Sequence, residues 1–179
     1  MSTPPFRRVL ITGGAGFIGS HHADHLLQQG ASVVVLDDLS TGRRSNLDAA
    51  LATGSLELVE GSARDALLLE KAFSDTGKGA VDAVFHLAGA AGVQLLADRP
   101  VRSVEANLLG APEVLAAAAS RGIPVLVASS SEVYGAGPGV QVPFQEDQPV
   151  QPGATCDPRG AYAAAKALCE WLALAHHRE

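Results

Sequence analysis

The sequence is poor in cysteine and in positive charge, and it has no long apolar run. Cys156 and Cys169 are its only cysteines. Two are too few for a secreted disulfide scaffold, and these two are not spaced as metal ligands. Lys and Arg number 13 against 19 Asp and Glu, a net charge of -6. That balance argues against a chain held to nucleic acid or to an anionic membrane surface by a general positive field. No apolar run approaches the roughly 18 residues of a membrane helix. The stretch from Met1 to Val9 is polar, with two prolines and two arginines. No signal-type apolar core follows it, so a cytoplasmic location is expected.

What is present describes a globular domain. The 179 residues are 47% hydrophobic and 18% charged, with a mean hydropathy of +0.17. That composition excludes disorder and low complexity. At about 150 residues per domain the length predicts one domain over residues 1–179. A chain of this size buries about 70% of its unfolded surface and needs no metal or disulfide staple.

The apolar pattern changes period repeatedly along the chain. Short strands are expected at Val9 to Thr12, Val33 to Leu36, Leu56 to Val59, Val81 to Leu87 and Ile123 to Ala128. Between them, helices are expected at Gly16 to Gln29, Arg44 to Ala52 and Arg64 to Phe73, with one long helix from Val101 to Ala119. A loop rich in glycine and proline runs from Gly135 to Gly160, and Ala161 to His176 forms a last helix. Continuous apolar strands alternating with helices predict an α/β, doubly wound parallel sheet of about five strands with helices on both faces, a Rossmann fold. Ligands of such sheets bind at the carboxyl ends of the strands, and chemistry is sought there.

The first such end reads Thr12-Gly13-Gly14-Ala15-Gly16-Phe17-Ile18-Gly19, a G-x-x-G-x-x-G pattern on Gly13, Gly16 and Gly19. Glycine permits the sharp turn, the close approach of backbone to a diphosphate and the tight packing of helix on strand. The helix N-terminus then offers unpaired N–H groups and partial positive charge to the phosphates. Asp37 lies about 18 residues beyond Gly19, near the roughly 20 expected of a ribose-binding carboxylate. A carboxylate there accepts from the ribose hydroxyls and repels a 2′-phosphate, which favours NAD over NADP. Arg43 and Arg44 lie nearby. They are read as solvated surface, although a 2′-phosphate would suit them.

Tyr162 and Lys166 stand four residues apart in Tyr-Ala-Ala-Ala-Lys and share one face of the last helix. A phenol of ordinary pKa near 10 is a poor base at neutral pH. A lysine cation beside it stabilises the phenolate. Ser129-Ser130-Ser131-Glu132-Val133-Tyr134-Gly135 follows strand five. A serine there can hydrogen-bond the same substrate oxygen that the tyrosine deprotonates.

Together these motifs, with His86-Leu87-Ala88-Gly89 and Asn107, resemble an extended short-chain dehydrogenase/reductase of the NAD-dependent epimerase/dehydratase family. The resemblance runs from about Arg8 to the last residue. It implies that Gly13, Gly16, Phe17, Ile18, Gly19 and Asp37 hold the adenosine and diphosphate of NAD. Asp38, Ser40 and Thr41 line the adenosine side, and Leu87, Ala88 and Gly89 follow strand four along the cofactor. Ser62, Ala63 and Ser129 join the cofactor-binding set, and Asn107 supports the region of strands four and five. Ser130, Tyr162 and Lys166 form the catalytic trio, with Tyr162 and Lys166 also touching the cofactor. The implied substrate is a UDP-, GDP- or dTDP-hexose, oxidised by hydride transfer to NAD to give a keto sugar. Glu132 resembles the acid of sugar 4,6-dehydratases and glucuronate decarboxylases. As a second acid or base it would act beside the keto sugar; otherwise it is an ordinary polar loop residue.

The sequence departs from that pattern in two places. Gly61-Ser62-Ala63-Arg64-Asp65 carries Ser62 where the family often has an aspartate toward adenine, so that contact loses charge assistance and NAD binding is expected to weaken. The chain also ends within about four turns of Lys166, whereas the resemblance implies further strands and a C-terminal sugar-nucleotide domain, absent here. Strand five is then expected to be an apolar edge, with Trp171, Leu172 and Leu174 exposed unless another chain covers them. The resemblance implies a homodimer through that helix. Three functions remain: a nucleotide-sugar oxidoreductase, a NAD-binding module without turnover, and a reductase of small ketones. His21 and His25 have metal-compatible spacing beside His22 and Asp24, but they read more simply as a polar helix surface, and no metal is expected.

Overall fold

A computed structural model of the chain describes residues 6–74, 77–90, 98–135 and 142–179. These fall into two compact units. Unit 1 runs to Ala88 and resumes over Gly110–Ala128; unit 2 comprises Gly89–Leu109 and Ser129–Glu179.

Unit 1 holds a five-stranded sheet of β1 (Arg8–Thr12), β2 (Ser32–Asp37), β3 (Leu56–Glu60), β4 (Ala83–His86) and β5 (Val125–Val127). Its order is β3-β2-β1-β4-β5, and every pair is parallel. Alternation along β1 and β2 sends side chains to opposite faces. Val9, Ile11, Val33 and Val35 join a core with Ala23 and Leu26 of α1 (Phe17–Gln28) and Ala50 of α2 (Asp48–Ala52). Leu10, Val34 and Leu36 meet Leu69 and Phe73 of α3 (Ala66–Phe73) on the other face. Val114 and Ala118 of α5 (Ala111–Ala119) pack there too. Thr12 is level with Leu36 and with His86, and His86 with Val127, so the carboxyl ends of four strands lie side by side. At the start of β1, the buried Arg8 guanidinium donates to Gly79 O at 3.0 Å and reaches Glu57 at 3.5 Å.

In unit 2, α4 (Pro100–Leu108) and the long α6 (Pro158–Arg178) pack together, and α6 also packs on a single 3₁₀ turn at Ser131–Tyr134.

The structure corrects several expected boundaries. The long helix from Val101 to Ala119 is two helices, because Gly110 sits at φ +125 and Pro112 carries no amide for a continuing helix. The Gly110 amide instead meets Glu113 Oε2 at 3.1 Å, and Pro112 takes the first turn of α5, where its missing N–H costs nothing. For the same reason Pro158 opens α6 earlier than expected, behind Asp157, whose carboxylate accepts from Arg159 N at 3.0 Å. The segment Arg44–Leu47 is a 3₁₀ turn ahead of α2, and Asp65 caps α3 rather than lying within it. Of the apolar residues on α6, Trp171 and Leu174 are exposed, as is Leu168, while Leu172 is half-buried because it lies a quarter-turn round from Trp171. Residues 136–141 of the long loop lie outside the described residues.

Candidate functional site

Unit 1 builds a glycine turn at the end of β1. Leaving β1, the chain bends at Gly13 with φ +74, and a Cβ there would stand 2.6 Å from Ala88 N. Only glycine fits that approach. Gly13 N donates to Leu36 O at 2.9 Å, which ties the turn to the end of β2. A Cβ at Gly19 would stand 2.4 Å from Gly13 O, so the first turn of α1 is seated directly on the bend. Gly16, with extended backbone, is the N-cap of α1 and offers no side-chain acceptor. The amides of Phe17 and Ile18 therefore open the helix without an intrahelical acceptor, in the geometry that suits an anion. Their side chains are 78% and 71% exposed.

Asp37 ends β2 and is buried. Its Oδ2 accepts from Ala15 N at 2.8 Å and its Oδ1 from Leu39 N at 2.8 Å. A carboxylate oxygen can accept more than one hydrogen bond, so both retain acceptor capacity. Asp38, Ser40 and Thr41 are exposed on the following turn, where Asp38 Oδ1 accepts from Ser40 N at 2.9 Å. Arg43 and Arg44 are exposed as well. Beyond β3, Ser62 and Ala63 are half-buried, and Ser62 Oγ accepts from Arg64 N at 3.3 Å. Leu87 and Ala88 follow β4, half-buried.

A further pair, unassigned from sequence, braces this turn. Thr12 Oγ1 lies 2.7 Å from His86 Nδ1, both buried, and Ala88 N donates to the same hydroxyl at 3.4 Å. The hydroxyl thus accepts from Ala88 and shares a hydrogen bond with the His86 ring, coupling the ends of β1 and β4. Both residues lie inside the quoted motifs, but period and spacing assign them no partner.

Unit 2 gathers the remaining residues. A Cβ at Gly89 would stand 2.7 Å from Asn107 Oδ1 and 3.3 Å from Lys166 Nζ, so these three converge. Asn107 Nδ2 donates to Ala90 O and to Ser103 O, each at 2.8 Å. Its Oδ1, buried, accepts no hydrogen bond among the described residues. Cys169, one turn beyond Lys166, donates its thiol to Asn107 O at 3.3 Å and fastens α6 to α4. Lys166 is 8% exposed. Burial holds its pKa below the usual lysine range, with Cys169 opposing that shift. Burial likewise pushes the Cys169 thiol up.

Tyr162 is half-buried, one turn before Lys166 on α6. Ser130 caps the 3₁₀ turn against which α6 packs, its Oγ accepting from Glu132 N at 3.2 Å. Glu132 is half-buried within that turn. Ser129 is bonded to Glu170 Oε1, one turn beyond Lys166. Glu170 is another contact that spacing alone does not reveal.

Among the described residues no three His, Cys, Asp or Glu side chains gather as a metal site. His21 Nδ1 is 2.8 Å from Phe17 O, and His25 Nε2 is 3.0 Å from the Gln29 amide nitrogen. No helix among the described residues is long and apolar enough to cross a membrane.

The sheet order, the glycine turn and the acidic end of β2 define a dinucleotide-binding Rossmann domain. The family model of the NAD dependent epimerase/dehydratase family matches residues 9–179, and the chain belongs to that family. Its relatives are nucleotide-sugar epimerases and decarboxylases. A UDP-N-acetyl-alpha-D-glucosaminuronate decarboxylase of Bacillus cytotoxicus is 36% identical over 95% of this chain and 50% of its own. UDP-glucuronic acid decarboxylase 1 of Danio rerio is 34% identical over 97% of this chain and 38% of its own. Among solved structures, the UDP-glucose 4-epimerase of Thermus thermophilus in complex with NAD matches with a TM-score of 0.77 at 34% identity, over 96% of this chain and 51% of that one. The chain spans half or less of the length of these curated relatives.

Proposed function

We propose that this chain is the NAD-binding and catalytic part of an enzyme that oxidises and remodels a UDP-sugar. The observation that carries the reading is the packing of α6, with Tyr162 and Lys166, on the turn that bears Ser130 and Glu132. The glycine turn and Asp37 receive NAD, the cofactor of the family. When bound, NAD supplies hydride acceptance from a sugar carbon and hydride return to it. Tyr162, as phenolate, takes the proton from the sugar hydroxyl, and Ser130 donates a hydrogen bond to the same oxygen. Lys166 supplies the cation that stabilises the phenolate and bonds the nicotinamide ribose.

A UDP-sugar is favoured over GDP- or dTDP-hexoses because the relatives are named for UDP-sugars. On this reading the sugar is first oxidised to a keto sugar, whichever branch follows. Glu132, beside Ser130, favours the branch in which that keto sugar loses a carboxylate or water. The exposed stripe of Leu168, Trp171 and Leu174 on α6 supports a homodimer.

The coverage of half or less of the curated relatives supports a second reading, in which the chain binds NAD and turnover needs residues supplied from outside it. One experiment separates the two. The chain is titrated with NAD, then incubated with NAD and UDP-glucuronic acid or UDP-glucose, and the sugar is followed by proton NMR. Conversion that disappears in Tyr162→Phe, with NAD binding kept, is the expected result. NAD binding without conversion of either sugar selects the second reading. No NAD binding overturns both, and undiminished conversion by Tyr162→Phe removes the trio.

A further inference from the structure

Ala15 is the middle residue of the glycine turn and is fully buried. Its two peptide planes are both held from outside the turn. On the amide side, Ala15 N donates to Asp37 Oδ2 at 2.8 Å. On the carbonyl side, Ala15 O accepts from Arg43 N at 3.0 Å and from Asn46 Nδ2 at 2.8 Å. That second plane is also the one whose N–H belongs to Gly16, which donates to Gly13 O at 3.2 Å. Fixing Ala15 O therefore fixes the Gly16 amide and the direction in which the chain enters α1.

The donors come from the loop after β2. That loop presses closely on the turn, since a Cβ at Gly42 would stand 2.9 Å from Ala15 C and 3.0 Å from Ala15 O. Asn46 also takes part in the 3₁₀ turn at Arg44–Leu47, its amide donating to Arg43 O at 3.0 Å. The loop is thus folded on itself and fastened to the turn by the Arg43 backbone amide and one side-chain amide, that of Asn46.

We infer that Asn46 is a positioning residue for diphosphate binding: its side-chain amide holds the Ala15–Gly16 peptide so that the first amides of α1 face the phosphates. The inference rests on the NAD reading above and deepens it. It divides the cofactor's recognition into a phosphate part, which depends on Asn46, and an adenosine part, which does not. The effect has a natural ceiling. Arg43 N still satisfies the buried carbonyl when Asn46 is lost, so the change is that of one hydrogen bond and not of an orphaned buried acceptor.

The test uses two ligands that differ in the diphosphate, ADP-ribose and adenosine, each titrated into the whole chain by NMR. Asn46→Ala and Asn46→Asp remove the donor and should weaken ADP-ribose about three- to tenfold, the range of one hydrogen bond, with adenosine changed less than about twofold. Asn46→Gln keeps an amide donor on this exposed loop and should recover most of the loss. A merely structural role lowers both ligands together, and that result overturns the inference, as does wild-type ADP-ribose affinity in both Asn46→Ala and Asn46→Asp. If the wild-type chain binds neither ligand, the NAD reading itself fails and takes this inference with it.

Discussion

The carboxylate of Asp37 accepts the Ala15 amide at 2.8 Å, so the residue expected to read the cofactor ribose is also a strut of the glycine turn. Sequence reasoning places Asp37 at the ribose alone, where it accepts from the hydroxyls and repels a 2′-phosphate. Two roles change the expected outcome of Asp37→Ala. Removing the carboxylate relieves repulsion of NADP, but it also leaves Ala15 N buried without its acceptor. NAD affinity should fall by more than about tenfold, the cost of an orphaned buried amide added to lost ribose bonds. NADP should not bind as tightly as NAD binds the wild type, even though the preference between them narrows. Calorimetric titration of both cofactors into both proteins checks this. An unchanged preference would remove Asp37 from the ribose site, and NADP binding as tight as wild-type NAD would remove its role as a strut.

Lys166 gives a pH signature. Burial lowers its pKa in the folded chain below that of an ordinary lysine, which is also its value when unfolded. Between the lowered pKa and about 10.4 the unfolded chain binds more protons than the folded one, so stability rises with pH across that window. Below the window the folded chain carries a buried cation at a cost. Lys166→Met replaces it with an apolar chain of similar length and should stabilise the fold at neutral pH by about 1 kcal/mol or more. The same substitution should flatten the alkaline rise. Urea unfolding from pH 7 to 10.5 measures both effects. An equal rise in the two proteins would show that the slope comes from other groups.

The parts of the fold that were legible in the sequence are those set by period and by glycine chemistry. Val33-Val34-Val35-Leu36 reads as a doubly buried strand because both faces of β2 are covered, by α1 on one side and α3 on the other. Gly13 and Gly19 announce the turn because no Cβ fits beside Ala88 N or Gly13 O. The helix break was less legible, because Leu108, Leu109 and Val114 keep an apolar spacing through Gly110. It takes the backbone angle to show that the chain stops and restarts there. What the sequence could not announce is contact between residues far apart along it. Asn46 on Ala15, Thr12 on His86 and Cys169 on the Asn107 carbonyl leave no mark in any local pattern, since each is decided by how strands and helices come together.

The edge of the sheet supplies the last prediction. β5 ends the strand order, and Leu126 at its centre is 51% exposed. An edge of this kind offers backbone N–H and C=O groups, with an apolar side chain among them, to any passing strand. Leu126→Lys should therefore reduce self-association without disturbing the fold. A lysine at mid-edge keeps its aliphatic stem against the strand while its charge opposes pairing with a second copy. Because Leu126 is largely in solvent already, the change in unfolding free energy should stay within about 0.5 kcal/mol. Light scattering against concentration, for wild type and variant at equal ionic strength, is the measurement. A lower apparent mass for Leu126→Lys assigns self-association to the edge of β5. An unchanged apparent mass above that of one chain would shift attention to Leu168, Trp171 and Leu174 on α6, where Trp171→Glu is the matching substitution.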